Sequence, residues 1–118
     1  MPKRDPRGPL LDMRAYALAA IRIAGEMTLD ELRASEVSRL ALERALEVVG
    51  EAANRVPKKT RDTLSSIPWA AIVGLRNILA HAYDSVRDEI LLNVVRHNLP
   101  ELVAELDAAL ARQNADEE

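Results

Sequence analysis

The segment of residues 67–83 reads IPWAAIVGLRNILAHAY. Taken as a helix, it is apolar on almost every side, which is typical of a helix buried among other helices. Arg76, Asn77, His81 and Tyr83 nevertheless lie in its second half. A buried arginine without a partner costs several kcal/mol, on the order of the net stability of a small domain. These groups therefore either pair with one another or face a functional cleft.

The rest of the chain predicts further helices and no strands. Apolar residues recur at three- and four-residue spacing, which indicates amphipathic helices. The predicted helices span residues 10–27, 35–55, 67–83, 85–98 and 98–111. Tyr16, Val37 and Leu40 belong to the stripes expected to face inward. The sequence therefore predicts an all-α, up-and-down bundle of four to five helices.

Capping residues predict where several of these helices begin. Thr28–Glu31 and Ser85–Asp88 have the form of capping boxes, and either Ser35 or Ser38 can begin the second long helix. Ser66 can cap the helix of residues 67–83, with Pro68 in its first turn. Asn98 precedes Leu-Pro-Glu, which predicts that the last helix restarts there.

A chain of 118 residues fits one domain, which we place at residues 10–113. Residues 1–9 are rich in proline and basic groups and are expected to form a flexible leader. Residues 114–118 are expected to form a frayed tail.

Composition excludes several classes of protein. The absence of cysteine excludes disulfides and thiolate metal sites, and it is compatible with a reducing cytoplasm, where we expect this protein. No apolar run is long enough for a membrane span, so no membrane partner is expected. A net charge of −3 and 3% aromatic residues argue against a protein that coats nucleic acid. Any contact with nucleic acid must be local.

The polar groups of residues 76–83 do not all share one helix face. At about 100° per residue, Arg76 and His81 lie about 140° apart, whereas Arg76 and Tyr83 lie on nearly the same line. Arg76 and His81 can then meet over one ligand if the helix bends near Tyr83. Alternatively, a second copy related by a two-fold axis brings two sets face to face. We favour the second option because it also buries the remaining apolar face of the helix.

Histidine can move a proton near neutral pH, and arginine grips phosphate in a bidentate manner. Together they suit cleavage of an RNA phosphodiester, with Arg76 and His81 as the candidate catalytic pair. Neither a metal nor another cofactor is expected, since His81 and His97 are the only histidines and form no cluster with ligand spacing.

Each of these residues also has a structural interpretation. Arg76 could pair with Glu51 or Glu47 of the second long helix, and a single histidine in an apolar helix is more often a satisfied core residue. A tyrosine at a helix end usually packs with its hydroxyl at the surface. It is the coincidence within eight residues that favours a functional site.

The segment 76–83, RNILAHAY, resembles the Arg–four residues–His–X–Tyr motif of HEPN-domain proteins, and specifically of the HepT-like toxins. Flanking segments resemble the same family in order and spacing: LDM at 11–13, VGEA at 49–52, IPW at 67–69 and LPEL at 99–102. The resemblance covers about residues 10–110. The sequence departs from the family pattern at His97, where an acidic residue is expected.

The resemblance implies a homodimer whose motif lines a cleft between the subunits, and a metal-independent ribonuclease that is the toxin of a toxin–antitoxin pair. Arg76 and His81 would be catalytic and Asn77 an auxiliary polar residue. Tyr83 would receive AMP from the cognate antitoxin, a nucleotidyltransferase of the MntA type. An adenylyl group would place a phosphate beside Arg76, where substrate phosphate should bind.

Two other functions are compatible with the sequence. The chain could be a non-catalytic HEPN module that binds a nucleotidyltransferase partner. It could also be a plain dimeric bundle whose polar groups form a buried network at the interface. The last interpretation predicts that a substitution at Arg76 unfolds or dissociates the protein.

Overall fold

The computed structural model describes residues 7–117, with the side chains of residues 7–112. All regular secondary structure in this range is helical, which confirms the predicted all-α class. The helices are α1 (Arg7–Ala24), α2 (Leu29–Arg33), α3 (Glu36–Arg55), α4 (Lys58–Thr63), α5 (Trp69–His81), α6 (Asp84–Asn93) and α7 (Leu99–Glu117), and a π-helical segment (Val94–Asn98) joins α6 to α7.

The core lies where α1 packs against α3 and α7. Its largest fully buried side chains are aliphatic: Leu10, Met13, Leu32, Leu42, Leu46, Leu91 and Leu106. The helix α5 lies on the outside of this core and packs mainly on α3. No helix within residues 7–117 is both long enough and apolar enough to cross a membrane.

The termini of the bundle differ from the predicted ones. Helix α1 begins at Arg7, inside the segment expected to be a leader, and α7 continues to Glu117. Residues 1–6 and Glu118 lie outside the described residues. The domain limits at residues 10 and 113 stay a prediction.

The predicted capping box of α2 is confirmed, and of the two serines predicted to begin α3, Ser35 is the cap. At the start of α2, the Thr28 hydroxyl accepts the Glu31 N–H at 3.1 Å, and the Glu31 carboxylate accepts the Thr28 N–H at 3.1 Å. At the start of α3, the Ser35 hydroxyl accepts the Ser38 N–H at 3.2 Å. Each bond satisfies a backbone donor that the helix itself leaves unpaired.

The predicted Ser66 cap is wrong. Helix α5 begins only at Trp69, because the Pro68 carbonyl accepts the first helical hydrogen bond, from the Ile72 N–H at 3.1 Å. The Ser66 hydroxyl instead donates to Glu105 at 2.7 Å, and so ties this loop to α7.

The predicted capping roles of Ser85 and Asn98 are wrong. Helix α6 begins at Asp84 with Tyr83 in the cap position, and no side chain caps it. Helix α7 begins at Leu99, close to the predicted start, but Asn98 belongs to the π-helical segment that leads into α7, and the Leu99 N–H donates to the Val94 carbonyl. Pro100 cannot donate a hydrogen bond and would clash with the carbonyl of residue 96 in a regular α-helix. The wider π turn before it gives the proline ring room.

Three residues of the predicted inward stripes lie at the surface instead. Tyr16, Val37 and Leu40 are 41%, 79% and 57% exposed. In α3 the buried face is set by Leu42 and Leu46, which repeat at four-residue spacing with Gly50. Val37 and Leu40 lie on the opposite side of that helix.

Gly50 allows α3 and α5 to pack closely. A Cβ atom built on Gly50 would lie 3.1 Å from the Ile72 carbonyl oxygen, which belongs to the α5 backbone. A helical backbone cannot rotate away as a flexible side chain can. Any larger residue at position 50 would therefore push α5 outward, together with the polar groups it carries.

We predict that Gly50→Val lowers the free energy of unfolding by about 1–3 kcal/mol, as overpacking of a close contact does. Gly8→Val is the matched control, because no atom of the described residues lies within 4 Å of a Cβ at that helical position. The control should change stability by less than about 0.5 kcal/mol. Urea denaturation followed by circular dichroism measures both, and equal stability of the two variants would contradict the packing argument.

Candidate functional site

The candidate site lies on α5, which buries one face and leaves the other open. Leu79 is the buried residue of this helix, and Ile72, Val73 and Leu75 are partly buried against the core. Ile78 is 51% exposed although it is a large apolar residue. The helix expected to be buried on nearly all sides is therefore only half covered within a single chain.

An apolar groove of about 350 Å³ runs beside the open face of α5. Ile72, Leu75 and Ile78 of α5 form one wall. Ile90, Val94 and Leu102, from α6, the π-helical segment and α7, form the opposite wall. We call the exposed residues of α5 together with this groove the α5 surface.

Arg76, Asn77, His81 and Tyr83 all lie at the surface of the single chain. The Arg76 side chain is 66% exposed, and Tyr83 as a residue is 86% exposed. His81 is the last residue of α5. The imidazole is thus not a satisfied core group, and solvent or a ligand can reach it. The roles predicted for these residues stay predictions.

Arg76 has the acidic neighbour that its structural interpretation requires. Its Nη1 lies 4.0 Å from Oε1 of Glu51, which also lies 3.6 Å from Nη1 of Arg44. Glu47, the other candidate, pairs with Arg44 at 3.3 Å. An ion pair this long between partly exposed groups contributes little to stability. Glu51 can therefore orient the Arg76 guanidinium and still leave it free to bind a phosphate.

Within one chain, the structure does not bring the predicted catalytic residues Arg76 and His81 into contact. Among the described residues, no hydrogen bond or ion pair links Arg76 to His81. The expectation that Tyr83 shares the helical line of Arg76 is wrong, because α5 ends at His81 and Ala82 is extended (ψ 146°). Tyr83 lies instead in the turn that leads into α6.

Arg87 holds that turn in place. The sequence had indicated Arg87 only as part of a capping box. Its Nε donates to the Leu79 carbonyl at 2.9 Å, and its Nη2 donates to the Ala82 carbonyl at 3.1 Å. Its Nη1 lies 3.4 Å from Oε1 of Glu43 on α3. No short sequence spacing signals this arrangement, since Glu43 and Arg87 are 44 positions apart.

A charged pocket of about 150 Å³ surrounds Arg87, between the start of α3 and the start of α6. Asp88 is 4% exposed and lies 4.0 Å from Nη1 of Arg39. The acidic side chains here are interleaved with the two arginines. In the part of the chain that the structure describes, no group of three or more His, Cys, Asp or Glu residues has the arrangement of a metal site.

Comparison with known proteins identifies relatives along nearly the whole chain. Residues 13–109 match the family described as Ribonuclease HepT-like. A protein of Methanocaldococcus jannaschii named "putative RNase" is 32% identical over 107 residues, which are 91% of this chain and 98% of the relative.

A second "putative RNase" of that organism is 29% identical over the full chain and 98% of its own length. A "probable ribonuclease HepT" of Thermococcus cleftensis is 28% identical over 85% of this chain and 91% of its own. No solved structure shows a significant match.

Proposed function

We propose a function from one premise: the chain belongs to the HepT-like ribonuclease family. The proposed function is that of a metal-independent endoribonuclease, the toxin of a toxin–antitoxin pair. The observation that carries this proposal is the exposure of Arg76 and His81 on α5, beside an apolar surface that the single chain leaves uncovered. Names of relatives that include RNase and ribonuclease support the same activity.

In the proposed reaction, the substrate 2′-hydroxyl attacks the adjacent phosphorus. His81 takes the 2′-hydroxyl proton or gives a proton to the leaving 5′-oxygen. Arg76 stabilises the negative charge on the pentacoordinate phosphorus. A 2′-oxygen–phosphorus bond forms and the phosphorus–5′-oxygen bond breaks, which leaves a 2′,3′-cyclic phosphate and a 5′-hydroxyl. Asn77, next to Arg76, is proposed as an auxiliary polar residue.

The active form in this proposal is a homodimer that covers the α5 surface. A second copy related by a two-fold axis would bury the exposed apolar residues of both chains, which is the main driving force for association. The same arrangement would bring Arg76 of one protomer towards His81 of its partner. The two residues could then act on one phosphate although their directions around a single helix differ by about 140°.

We predict that His81→Ala lowers the rate of RNA cleavage at least about 100-fold, because a general acid–base group contributes that much or more. Arg76→Ala should lower it by about 100- to 1,000-fold through lost stabilisation of the transition state. A gel assay with labelled RNA, run in excess EDTA, measures both variants and also tests metal independence.

His97→Ala and Arg55→Ala are the matched controls for these two variants. His97 is exposed on the π-helical segment, and Arg55 pairs with Asp12 at 3.2 Å on the surface. Both controls should keep wild-type cleavage, and all four variants should keep the helical circular dichroism signal. Cleavage retained by His81→Ala would contradict the catalytic role. Unfolding of Arg76→Ala would favour a purely structural network.

We predict that Ile78→Glu weakens self-association at least about tenfold, since it places a carboxylate in the proposed interface. Leu11→Glu is the matched control, because Leu11 on α1 is 52% exposed and Ile78 is 51% exposed. Sedimentation equilibrium measures the dissociation constants. A wild-type chain that stays monomeric at high micromolar concentration would refute the proposed dimer.

Tyr83 is the proposed site of control by the partner, a nucleotidyltransferase antitoxin of the MntA type. Its phenol oxygen would attack the α-phosphorus of ATP, releasing pyrophosphate and forming a tyrosyl–AMP ester. The 86% exposure of Tyr83 supports access by a second enzyme. The added phosphate and base would lie two residues from His81 and hinder the approach of RNA.

We predict that incubation with this partner and ATP adds one or more AMP units to the wild-type chain and none to Tyr83→Phe. Tyr16→Phe is the control, since Tyr16 is the only other tyrosine and is also exposed. Intact-mass spectrometry measures the additions. An unmodified wild-type chain, or modification of Tyr83→Phe, would remove the regulatory role.

Induced expression of the chain alone should arrest cell growth, whereas a non-catalytic module should leave growth unchanged.

A further inference from the structure

The carboxyl end of α5 lacks the usual means of satisfying its last carbonyl groups. Helices commonly end in a glycine of left-handed conformation, whose neighbouring N–H groups bind those carbonyls. Here the residue after the helix is Ala82, in extended conformation. The carbonyls of Leu79 and Ala82 are bound instead by the Arg87 guanidinium, at 2.9 and 3.1 Å.

The same guanidinium connects three helices. Its Nη1 lies 3.4 Å from Glu43 on α3 and 3.6 Å from Asp84 at the start of α6. The Arg87 and Glu43 side chains are only 27% and 23% exposed, so water competes less for this contact than for a surface pair. Hydrogen bonds from a charged donor are stronger than neutral ones. Arg87 also donates its backbone N–H to the Tyr83 carbonyl at 2.7 Å.

In the sequence, His81 lies between Leu79 and Ala82, whose carbonyls Arg87 binds, and Tyr83 comes directly after Ala82. We propose that Arg87 is the positioning residue of the site, which fixes the His81–Tyr83 turn on α3 and so aims the imidazole at the scissile phosphate. This inference rests on the proposed function. Arg87 does not bind the substrate phosphate in place of Arg76, because its side chain donates to groups within the chain, whereas the Arg76 side chain is 66% exposed.

A positioning role differs measurably from a purely structural one. Loss of Arg87 should free the turn while the core of α1, α3 and α7 stays folded. Binding of substrate phosphate by Arg76 should persist, so KM should change little. The rate of the chemical step should fall, because a displacement of about 1 Å in a catalytic group can cost 100-fold.

The test compares Arg87→Ala with Arg33→Ala. Arg33 is the matched control, since its Nη2 reaches the Ser85 carbonyl at 3.4 Å and Glu89 at 3.1 Å on α6, with no bond to α5. Amide hydrogen exchange of residues 79–85 should rise at least about tenfold in Arg87→Ala, whereas exchange of residues 79–83, which Arg33 does not contact, should stay unchanged in Arg33→Ala. For RNA cleavage, Arg87→Ala should lose about 10- to 100-fold in kcat, with KM within about twofold of wild type.

Added guanidinium offers a rescue experiment. Millimolar guanidinium chloride, far below denaturing concentration, should restore part of the kcat of Arg87→Ala, because the ion can occupy the vacated site between the carbonyls and Glu43. Sodium chloride at equal ionic strength should not. If Arg87→Ala fails to fold, Arg87→Gln is used, since glutamine can donate to one of the two carbonyls without the charge.

Unchanged exchange at residues 79–85, or an unchanged kcat, would overturn the positioning role. Wild-type chain that does not cleave RNA would overturn the proposed function, and the catalytic part of this inference with it. In that case the exchange pattern alone decides whether Arg87 holds the turn. The two failures are therefore distinguishable.

Discussion

The close packing of α3 against α5 is the constraint on which the candidate site depends. Gly50 allows the backbone of α5 to approach α3, as the 3.1 Å from its virtual Cβ to the Ile72 carbonyl shows. Three acidic residues of α3 lie at four-residue spacing along this side: Glu43, Glu47 and Glu51. Glu51 lies beside Arg76, and Glu43 meets Arg87 at the end of α5. Carboxylates of one helix, α3, thus contact both arginines: the exposed Arg76 and the partly buried Arg87, which binds backbone carbonyls at the end of α5.

The apolar character of α5 has a different consequence. Its inner face packs against α3, whereas Ile78 and the adjoining groove are open to solvent among the described residues. A groove lined mainly by apolar side chains is a common form of binding site. In the proposed function, a second copy covers this surface and supplies the second member of each Arg76–His81 pair.

The fold class, the Ser35 cap and the end of α3 before Val56 and Pro57 were predictable, because each follows from local rules of spacing, capping and proline sterics. The end of α5 was not, because it depends on a guanidinium eight residues further along the chain. The buried face of α3 was predicted correctly at Ala45, Val49 and Ala52 but not in its first turns, which carry apolar residues on both sides. Tyr83 was consequently placed on the wrong element, while the exposure of Arg76 and His81 could be learned only from the packed structure.

The most direct test of the shared site is RNA cleavage by mixed dimers of the Arg76→Ala and His81→Ala chains. Each chain alone lacks one member of the pair, but a mixed dimer retains one complete pair across the interface. In an equal mixture, half of the dimers are mixed and each has one of its two sites intact, so a site shared between subunits should restore about a quarter of wild-type activity. If the mixture is as inactive as its two components while native mass spectrometry demonstrates mixed dimers, the site is not shared between subunits.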